Sequence, residues 1–555
     1  MCRSDLITLA FCLFMFAMGL QFAPIPGLQY DEILFFQPFL YDWALYRQRW
    51  FGQEFPLMVM SYVGALKTWI FWPLYTWVAP SLWVVRLPAL LLGCLNVWLL
   101  YRLGARIWDY RAGLLAAALA ASDTTFLLTH LFDWGPVGIQ VALSAGAALA
   151  FLQWRETSAT RWLALCGYLC GLALWNKAIF VWVLAALAIS VILCFPRTIL
   201  VWKAVPELRR HRKAYAAAIA LFIVGCMPLL TYNVGQRGET VSGNATFERS
   251  VPPGKIAAAQ TSLDGSVIAS YMFAFDPHGD ACKVSPNDGS APGPAFPPEL
   301  ARYPRASLTL LAFGASALVF FLAWPVQGAR IGRLIVLVLL LSYFAAIMSV
   351  GAGYGLHHYA PILPAAFLAI GGAWSVLARL SEKYGGSFAR PAKFVLIAVA
   401  VGLPLASALT LEGWRQRAVL CGSGQIWTDA TAKLADQVLK RRELTFYALD
   451  WGMDPQVNYL ASKNNRMEFL TAVSEDVSPE GPRFEEVQRI FHDPRTRLVS
   501  YYGDMLVIAD YRPRFKKLLE VHGYQAVEDY TVSDSHNRPI FAVLKLEPAV
   551  TNGGN

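Results

Sequence analysis

Met18-Gly19-Leu20-Gln21-Phe22-Ala23-Pro24-Ile25-Pro26-Gly27-Leu28-Gln29-Tyr30-Asp31-Glu32 is the stretch on which the reading of this chain turns. It begins inside an apolar run, 6–22, long enough to cross a bilayer. It leaves that run through two prolines and a glycine, and two adjacent carboxylates, Asp31 and Glu32, follow. Carboxylates close to a bilayer surface are costly to keep charged unless they perform chemistry or bind a cation. Asp31 is therefore a candidate general base for an acceptor hydroxyl, with Glu32 beside it. The plainer alternative is a solvated loop with two incidental acids.

The sequence around this loop is mostly membrane. Of 555 residues, 56% are hydrophobic and 15% charged, with a mean hydropathy of +0.42; a soluble domain carries about a quarter charged residues. About eleven apolar runs approach the roughly 17–25 residues a transmembrane helix needs. They lie at 6–22, 83–103, 112–122, 135–153, 162–175, 178–195, 214–232, 306–324, 331–350, 359–378 and 394–411. The expected fold class is thus a polytopic α-helical membrane protein.

The net charge of +9 invites a nucleic-acid partner, but the basic residues sit between apolar runs. Arg102, Arg106 and Arg111 form one group; Lys203, Arg209, Arg210, Arg212 and Lys213 another. Arg330 with Arg333, and Arg379, Lys383, Arg390 and Lys393, complete the series. These are alternate connections, as the positive-inside rule demands. The rule makes the N-terminus cytoplasmic and puts the Asp31-Glu32 loop, and everything after about 411, outside. Membrane topology explains the charge, and no nucleic acid is expected. A cleaved signal peptide is the alternative for the first run, but the run reaches Phe22 without an A-x-A site.

Residues 1–411 are therefore expected to form the membrane domain. Its first outside loop, 23–80, is rich in Trp, Tyr, Phe and Pro, and Gln37–Arg49 and Ser61–Trp72 read as amphipathic helices in the interface. A long outside loop, 233–305, is Gly/Pro-rich and irregular, and Gly351–His358 also favours an irregular backbone. Residues 412–555 have ordinary polar content and read as an outside α/β domain. Strand-like runs there are Leu444–Leu449, Arg497–Tyr502, Met505–Ile508 and Ile540–Leu544, with a helix over Ser423–Arg441 capped by Ser423. Of nine cysteines, Cys282 and Cys421 fall outside the membrane and are free to pair; no metal-ligand spacing appears among the cysteines.

Further candidates lie at the outer ends of spans. Asp133 stands at the mouth of the fourth span, either as a second acid lining the cleft or as the N-cap before Gly135-Pro136. Asp123 rivals it, and His130 shares the loop. Lys177, in Leu174-Trp175-Asn176-Lys177, is a cation in a tight outside turn, suited to an anionic phosphate or else a snorkelling helix end. His357-His358-Tyr359 opens the tenth span and offers imidazole and phenol donors to a phosphate or its leaving oxygen. Adjacent helical histidines point about a hundred degrees apart, which argues against joint metal chelation. Asn244-Ala245-Thr246 matches a glycosylation acceptor, a frequent chance pattern, and Asp450-Trp451-Gly452 reads as a turn.

Together these residues resemble the GT-C membrane glycosyltransferases, in the branch that includes protein mannosyltransferases, aminoarabinose lipid A transferases and lipopolysaccharide galacturonosyltransferases. The resemblance rests on Tyr30-Asp31-Glu32, on Tyr101-Arg102-Leu103-Gly104 with Arg111-Ala112-Gly113-Leu114, and on Asp123–Asp133. It continues through Gly171-Leu172-Ala173-Leu174-Trp175-Asn176-Lys177 and His358-Tyr359-Ala360-Pro361-Ile362-Leu363-Pro364. It implies a GT-C-like fold over about 5–411, Asp31 as catalytic base, and Lys177 and His358 facing a donor phosphate. His358 stands where many relatives have arginine.

The implied reaction moves a sugar from a polyprenyl-phosphate donor to a hydroxyl acceptor, with inversion at the anomeric carbon. Lipid A or lipopolysaccharide, another envelope glycan, and a protein hydroxyl are all open as acceptors, and the bacterial cytoplasmic (inner) membrane is the implied location. No cofactor is required, because cations of the chain can stabilise the leaving phosphate; a divalent metal is not obligatory. A secondary transporter is the alternative from another class, but such proteins are built from repeats with charges near the midplane, and this chain shows no repeat.

Overall fold

In the computed structural model, described residues are 3–40, 44–133, 135–196, 204–244, 246–248, 250, 253–263, 265–275, 282, 308–323, 326–349, 355–384, 386–450, 452–461, 467–473, 483–503 and 510–549. Several expectations lie outside them: the strand Met505–Ile508, most of the loop 276–307, Gly351–Tyr354, Lys203, Ala245 and Trp451.

Every apolar run of the sequence is helical among the described residues. The first ten helices are α1 (Arg3–Phe22), α2 (Tyr30–Ile33), α3 (Gln37–Leu40), α4 (Leu66–Trp77), α5 (Leu82–Ile107), α6 (Tyr110–Ser122), α7 (Thr124–Leu131), α8 (Val137–Thr157), α9 (Thr160–Asn176) and α10 (Phe180–Cys194). Further apolar helices are Arg212–Gly235, Leu308–Leu322, Ala329–Met348, Pro364–Tyr384 and Leu403–Cys421. Seven helices are long and apolar enough to cross a membrane, or eight if α6 and α7, bent by 64°, count as one broken span. Two more, α10 and Leu308–Leu322, are apolar but short. The chain is a multi-pass membrane protein.

Membrane packing follows small residues. Gly167 and Gly171 of α9 bring its backbone so close to Ala218 and Phe222 of helix Arg212–Gly235 that a Cβ at either glycine would collide with a carbonyl. Close backbone approach gives contact where no hydrophobic drive exists between helices in lipid. The break between α6 and α7 falls at Asp123, whose carboxylate accepts the Phe126 N–H at 2.8 Å and so restarts the helix.

The first loop departs from its expectation. Gln37–Arg49 is not an interfacial helix: after α3, strands β1 (Tyr46–Trp50) and β2 (Gln53–Met60) form a hairpin, extended by β3 (Val63–Gly64). Phe51 (φ 52°) and Gly52 (φ 81°) make its two-residue turn, the left-handed pair that matches strand twist. The second expected helix forms slightly later, as α4.

The C-terminal part is a five-stranded mixed sheet in the order β5-β4-β6-β8-β7: β4 (Thr445–Ala448), β5 (Met467–Phe469), β6 (Thr496–Tyr501), β7 (Tyr524–Ser533) and β8 (Pro539–Pro548). β4 runs parallel to β5 and β6, while β8 is antiparallel to β6 and β7. The helix expected from Ser423 starts instead at Ala430, after Asp429. Ser423 bridges to Phe273 of the long loop, which keeps its backbone extended. The Cys282–Cys421 disulfide ties the long loop to the end of helix Leu403–Cys421, and just beyond it the Gly27 N–H donates to the Trp427 carbonyl at 2.6 Å.

Candidate active site

The site is built around one turn of helix. Gln29 caps α2 in both directions: its side-chain oxygen accepts the Asp31 N–H at 2.6 Å, and its own N–H donates to Glu32 Oε2 at 3.1 Å. This reciprocal cap fixes the direction in which the two acids leave the backbone.

They leave in opposite ways. Glu32 is fully buried and takes two charge-assisted bonds from Arg86, each 2.8 Å. Arg86 spends its other donors on the carbonyls of Ala23, Pro26 and Gly27, at 2.5–2.7 Å, and its guanidinium lies 4.5 Å from the centre of the Phe132 ring. All five N–H groups of the guanidinium are thereby engaged. The expectation of Glu32 as a second reacting acid is corrected: both its oxygens hold the loop to α5. Arg86 had a signal in the sequence, since a cation inside an apolar run is seldom idle.

Asp31 is partly exposed instead. Its charge reaches Lys177, Tyr30, Tyr62 and Tyr271. Burial, reinforced by Asp31, pushes the Tyr62 phenol up to about 12.

Lys177 is where distant segments meet. It follows α9, pairs by its backbone with Val63 of β3, and donates its ammonium to the carbonyls of His357 (2.9 Å) and Gly135 (3.4 Å). Burial lowers it from 10.5 to about 7, against the opposing pull of Asp31 and Asp133. Gly135, at φ 71°, lets the chain pass: a Cβ there would sit 3.2 Å from the His357 ring and 3.3 Å from Lys177 Nζ.

His357 and His358 lie on a tight turn, Leu356–His358, with ring centres 4.1 Å apart. Burial, then neighbouring positive charge including Lys177, holds both well below the ordinary imidazole value. This burial opposes the charged form of His358, the form that the family resemblance implied. Tyr359 donates its hydroxyl to the carbonyl of Lys255 at 3.3 Å. Lys255 pairs with Glu248 at 3.1 Å, and its charge also acts on His358.

Asp133 joins this cluster with a partner that the sequence reading missed. Lys67 of α4 reaches Asp133 Oδ2 at 2.6 Å, and the other carboxylate oxygen faces the Gly138 N–H at the start of α8, 3.4 Å away. Asp123 and His130 are placed differently. Asp123 caps α7, and buried His130 turns Nδ1 to the Phe126 carbonyl at 2.7 Å with its ring 3.9 Å from Phe126. Among the described residues no three His, Cys, Asp or Glu side chains gather as a metal cage.

The fold places this cluster among known proteins. ArnT from Cupriavidus metallidurans in the apo state superposes with a TM-score of 0.56 at 12% identity, covering 97% of each chain. The same enzyme bound to undecaprenyl phosphate gives 0.54 at 11% identity, again over 97% of both. The chain has the GT-C glycosyltransferase fold. Residues 63–232, from β3 into helix Arg212–Gly235, match the sequence model of the dolichyl-phosphate-mannose-protein mannosyltransferases. The oligosaccharyltransferase of Archaeoglobus fulgidus superposes more loosely, with a TM-score of 0.46 at 13% identity over 89% of this chain and 69% of that one. No curated protein sequence matches. On this GT-C fold, Asp31 and Lys67 come from the first loop and α4, Asp133 from the connection between α7 and α8, Lys177 from the end of α9, and the histidine pair from the turn Leu356–His358.

Proposed function

We propose that the chain is an inverting glycosyltransferase that moves a sugar from a polyprenyl-phosphate donor to a hydroxyl acceptor. The observation that carries this is the convergence of a partly exposed carboxylate, Asp31, with a buried lysine, Lys177, whose charge it shares with Asp133. A base for the acceptor and a cation for the leaving phosphate are the two requirements of such a transfer. The matched family model and the undecaprenyl phosphate held by ArnT support the donor class.

In this mechanism Asp31 takes the proton of the acceptor hydroxyl as its oxygen attacks the anomeric carbon. The new C–O bond forms as the bond to the phosphate oxygen breaks, and the electron pair leaves on the phosphate. Lys177 stabilises the charge that grows there, an electrostatic effect of the kind that dominates many enzyme rates. Neutral His357 and His358 act as hydrogen-bonding groups, and Tyr359 positions the turn. Lys67 keeps the Asp133 carboxylate paired, and Glu32 orients the loop.

The reaction runs on the face bearing the β-domain, in a bacterial inner membrane with the N-terminus cytoplasmic. The basic connections support that orientation, and so does the Cys282–Cys421 disulfide, since such bonds persist outside the cytosol. Lipopolysaccharide, another envelope glycan or a protein then supplies the hydroxyl. The test is Asp31→Asn in membranes supplied with lipid-linked sugar: loss of glycosyl transfer at normal expression supports the reading, and unchanged transfer removes it.

A further inference from the structure

We propose that Asn176 and Gln140 are positioning residues for Lys177: their buried amide pair locks the end of α9 to the connection between α7 and α8, and so sets the register in which the lysine meets the donor phosphate. The proposal rests on the transferase reading above, which gives Lys177 the phosphate, and adds the groups that hold the lysine in place.

Three amides interrupt the apolar helices around the site. Asn96 lies in the middle of α5, Gln140 in the first turn of α8, and Asn176 is the last residue of α9. All three are buried. Polar side chains inside a membrane domain are costly and mark function or a specific partner, yet none of these takes part in the transfer chemistry. Their hydrogen bonds converge on one short segment. Asn176 Nδ2 donates to Gln140 Oε1 at 2.9 Å and to the Pro136 carbonyl at 3.4 Å. Asn96 Nδ2 donates to the Gly138 carbonyl at 2.8 Å.

The register is explicit. Two consecutive residues, Asn176 and Lys177, take two consecutive carbonyls in the opposite chain direction, Pro136 and Gly135, each at 3.4 Å. The second carbonyl of Lys177 is that of His357, at 2.9 Å. A slip of the 135–138 backbone therefore changes where the ammonium sits relative to the histidine turn.

That backbone needs outside support. Asp133 at φ 41° and Gly135 at φ 71° are both left-handed, and such conformations persist only where the surroundings over-determine them. Lys67 and the Gly138 N–H hold the Asp133 side chain; the amides hold the carbonyls. When a phosphate draws Lys177 away from the Gly135 carbonyl, Asn176 and Asn96 still grip the segment on either side. An amide suits this task better than an acid. A carboxylate at 140 or 176 would compete with the phosphate for the lysine, whereas an amide fixes geometry without charge.

Side-chain hydrogen bonds between membrane helices add little to stability, because the unfolded chain in the bilayer also finds partners. Loss of the pair is therefore expected in donor binding and hardly in unfolding. The experiment titrates undecaprenyl phosphate against the full-length protein in nanodiscs and records the unfolding temperature of each preparation. Asn176→Leu should weaken binding by about fivefold or more with an unfolding temperature close to that of wild type. Asn176→Gln, which keeps the donating amide, should recover part of the loss. Lys177→Met should weaken binding at least as much as Asn176→Leu. Adding Asn176→Leu to Lys177→Met should then cost nothing further, because Asn176 acts through the lysine. Wild-type affinity in Asn176→Leu, or losses that multiply in the double variant, would overturn the proposal and leave the donor reading standing. Wild-type affinity in Lys177→Met would remove the lysine from the donor site, and the proposal with it. Should Asn176→Leu not fold, Gln140→Leu decides in the same two backgrounds: weaker binding that depends on Lys177 is expected, and unchanged binding overturns the role.

Discussion

Lys67 Nζ lies 2.6 Å from Asp133 Oδ2, and both side chains are almost wholly buried. The pair joins the first loop to the entrance of α8, next to Gly135 and Lys177. Removing one partner leaves a charge uncompensated away from water, at a loss of about 3–5 kcal/mol. Lys67→Met should therefore lower the unfolding temperature of the purified protein clearly, and Asp133→Leu in the same chain should recover part of that loss. Thermal unfolding of the two variants checks it; additive losses would contradict the pairing.

Asp31 and Glu32, adjacent in sequence, should respond in opposite ways. Asp31→Asn is expected to abolish most transfer, by about 100-fold or more, with stability within about 0.5 kcal/mol of wild type. Glu32→Ala strands the buried Arg86 and should destabilise by about 3–5 kcal/mol. Activity and unfolding curves measured on the same preparations separate the two effects.

Donor binding should carry a proton signature from Lys177. Burial lowers its value to about 7, so above that pH the unliganded lysine is mostly neutral, whereas an ordinary lysine keeps its proton up to about 10.5. A bound phosphate favours the charged form, so binding takes up a proton in that window and affinity falls as pH rises. The slope reaches at most about tenfold per pH unit. Titrations with undecaprenyl phosphate at pH 7 and pH 9 measure it, and Lys177→Arg should flatten the profile. The same linkage makes the folded state gain stability as pH rises through this window, because the unfolded chain holds the extra proton.

The disulfide closes a long loop, with Cys282 and Cys421 separated by 139 positions in sequence. Cys421→Ser should lower stability by about 2–5 kcal/mol, and reducing agent should do the same to the wild type but not to the variant. Non-reducing electrophoresis with parallel thermal melts is the check.

Much of this was legible in the linear chain. Apolar length located the seven long apolar helices, and Asp31, Lys177 and the histidine pair stood out as polar groups at the ends of apolar runs. The hairpin of β1 and β2 was not legible, because Tyr46–Met60 mixes aromatic, charged and apolar residues without a clean period of two. Its burial comes from α9 and helix Arg212–Gly235, with Trp175 donating to the Leu57 carbonyl at 2.8 Å and Tyr46 packing on Tyr232 at 5.3 Å. β7 was missed because its faces are only half-buried, and it is held by its ladder to β8.

Sequence alone determined that the chain lives in a membrane, where its long apolar helices run, and that a carboxylate waits just beyond the first of them. Hydropathy is a local property, summed over neighbours in the chain, so it needs no fold to be read. Only the tertiary structure decided which of two adjacent acids is tied to an arginine, that Lys67 answers Asp133, and that the histidines are buried beside Lys177. Those are matters of burial and of charge at a few ångströms, and they arise between residues that the sequence keeps far apart.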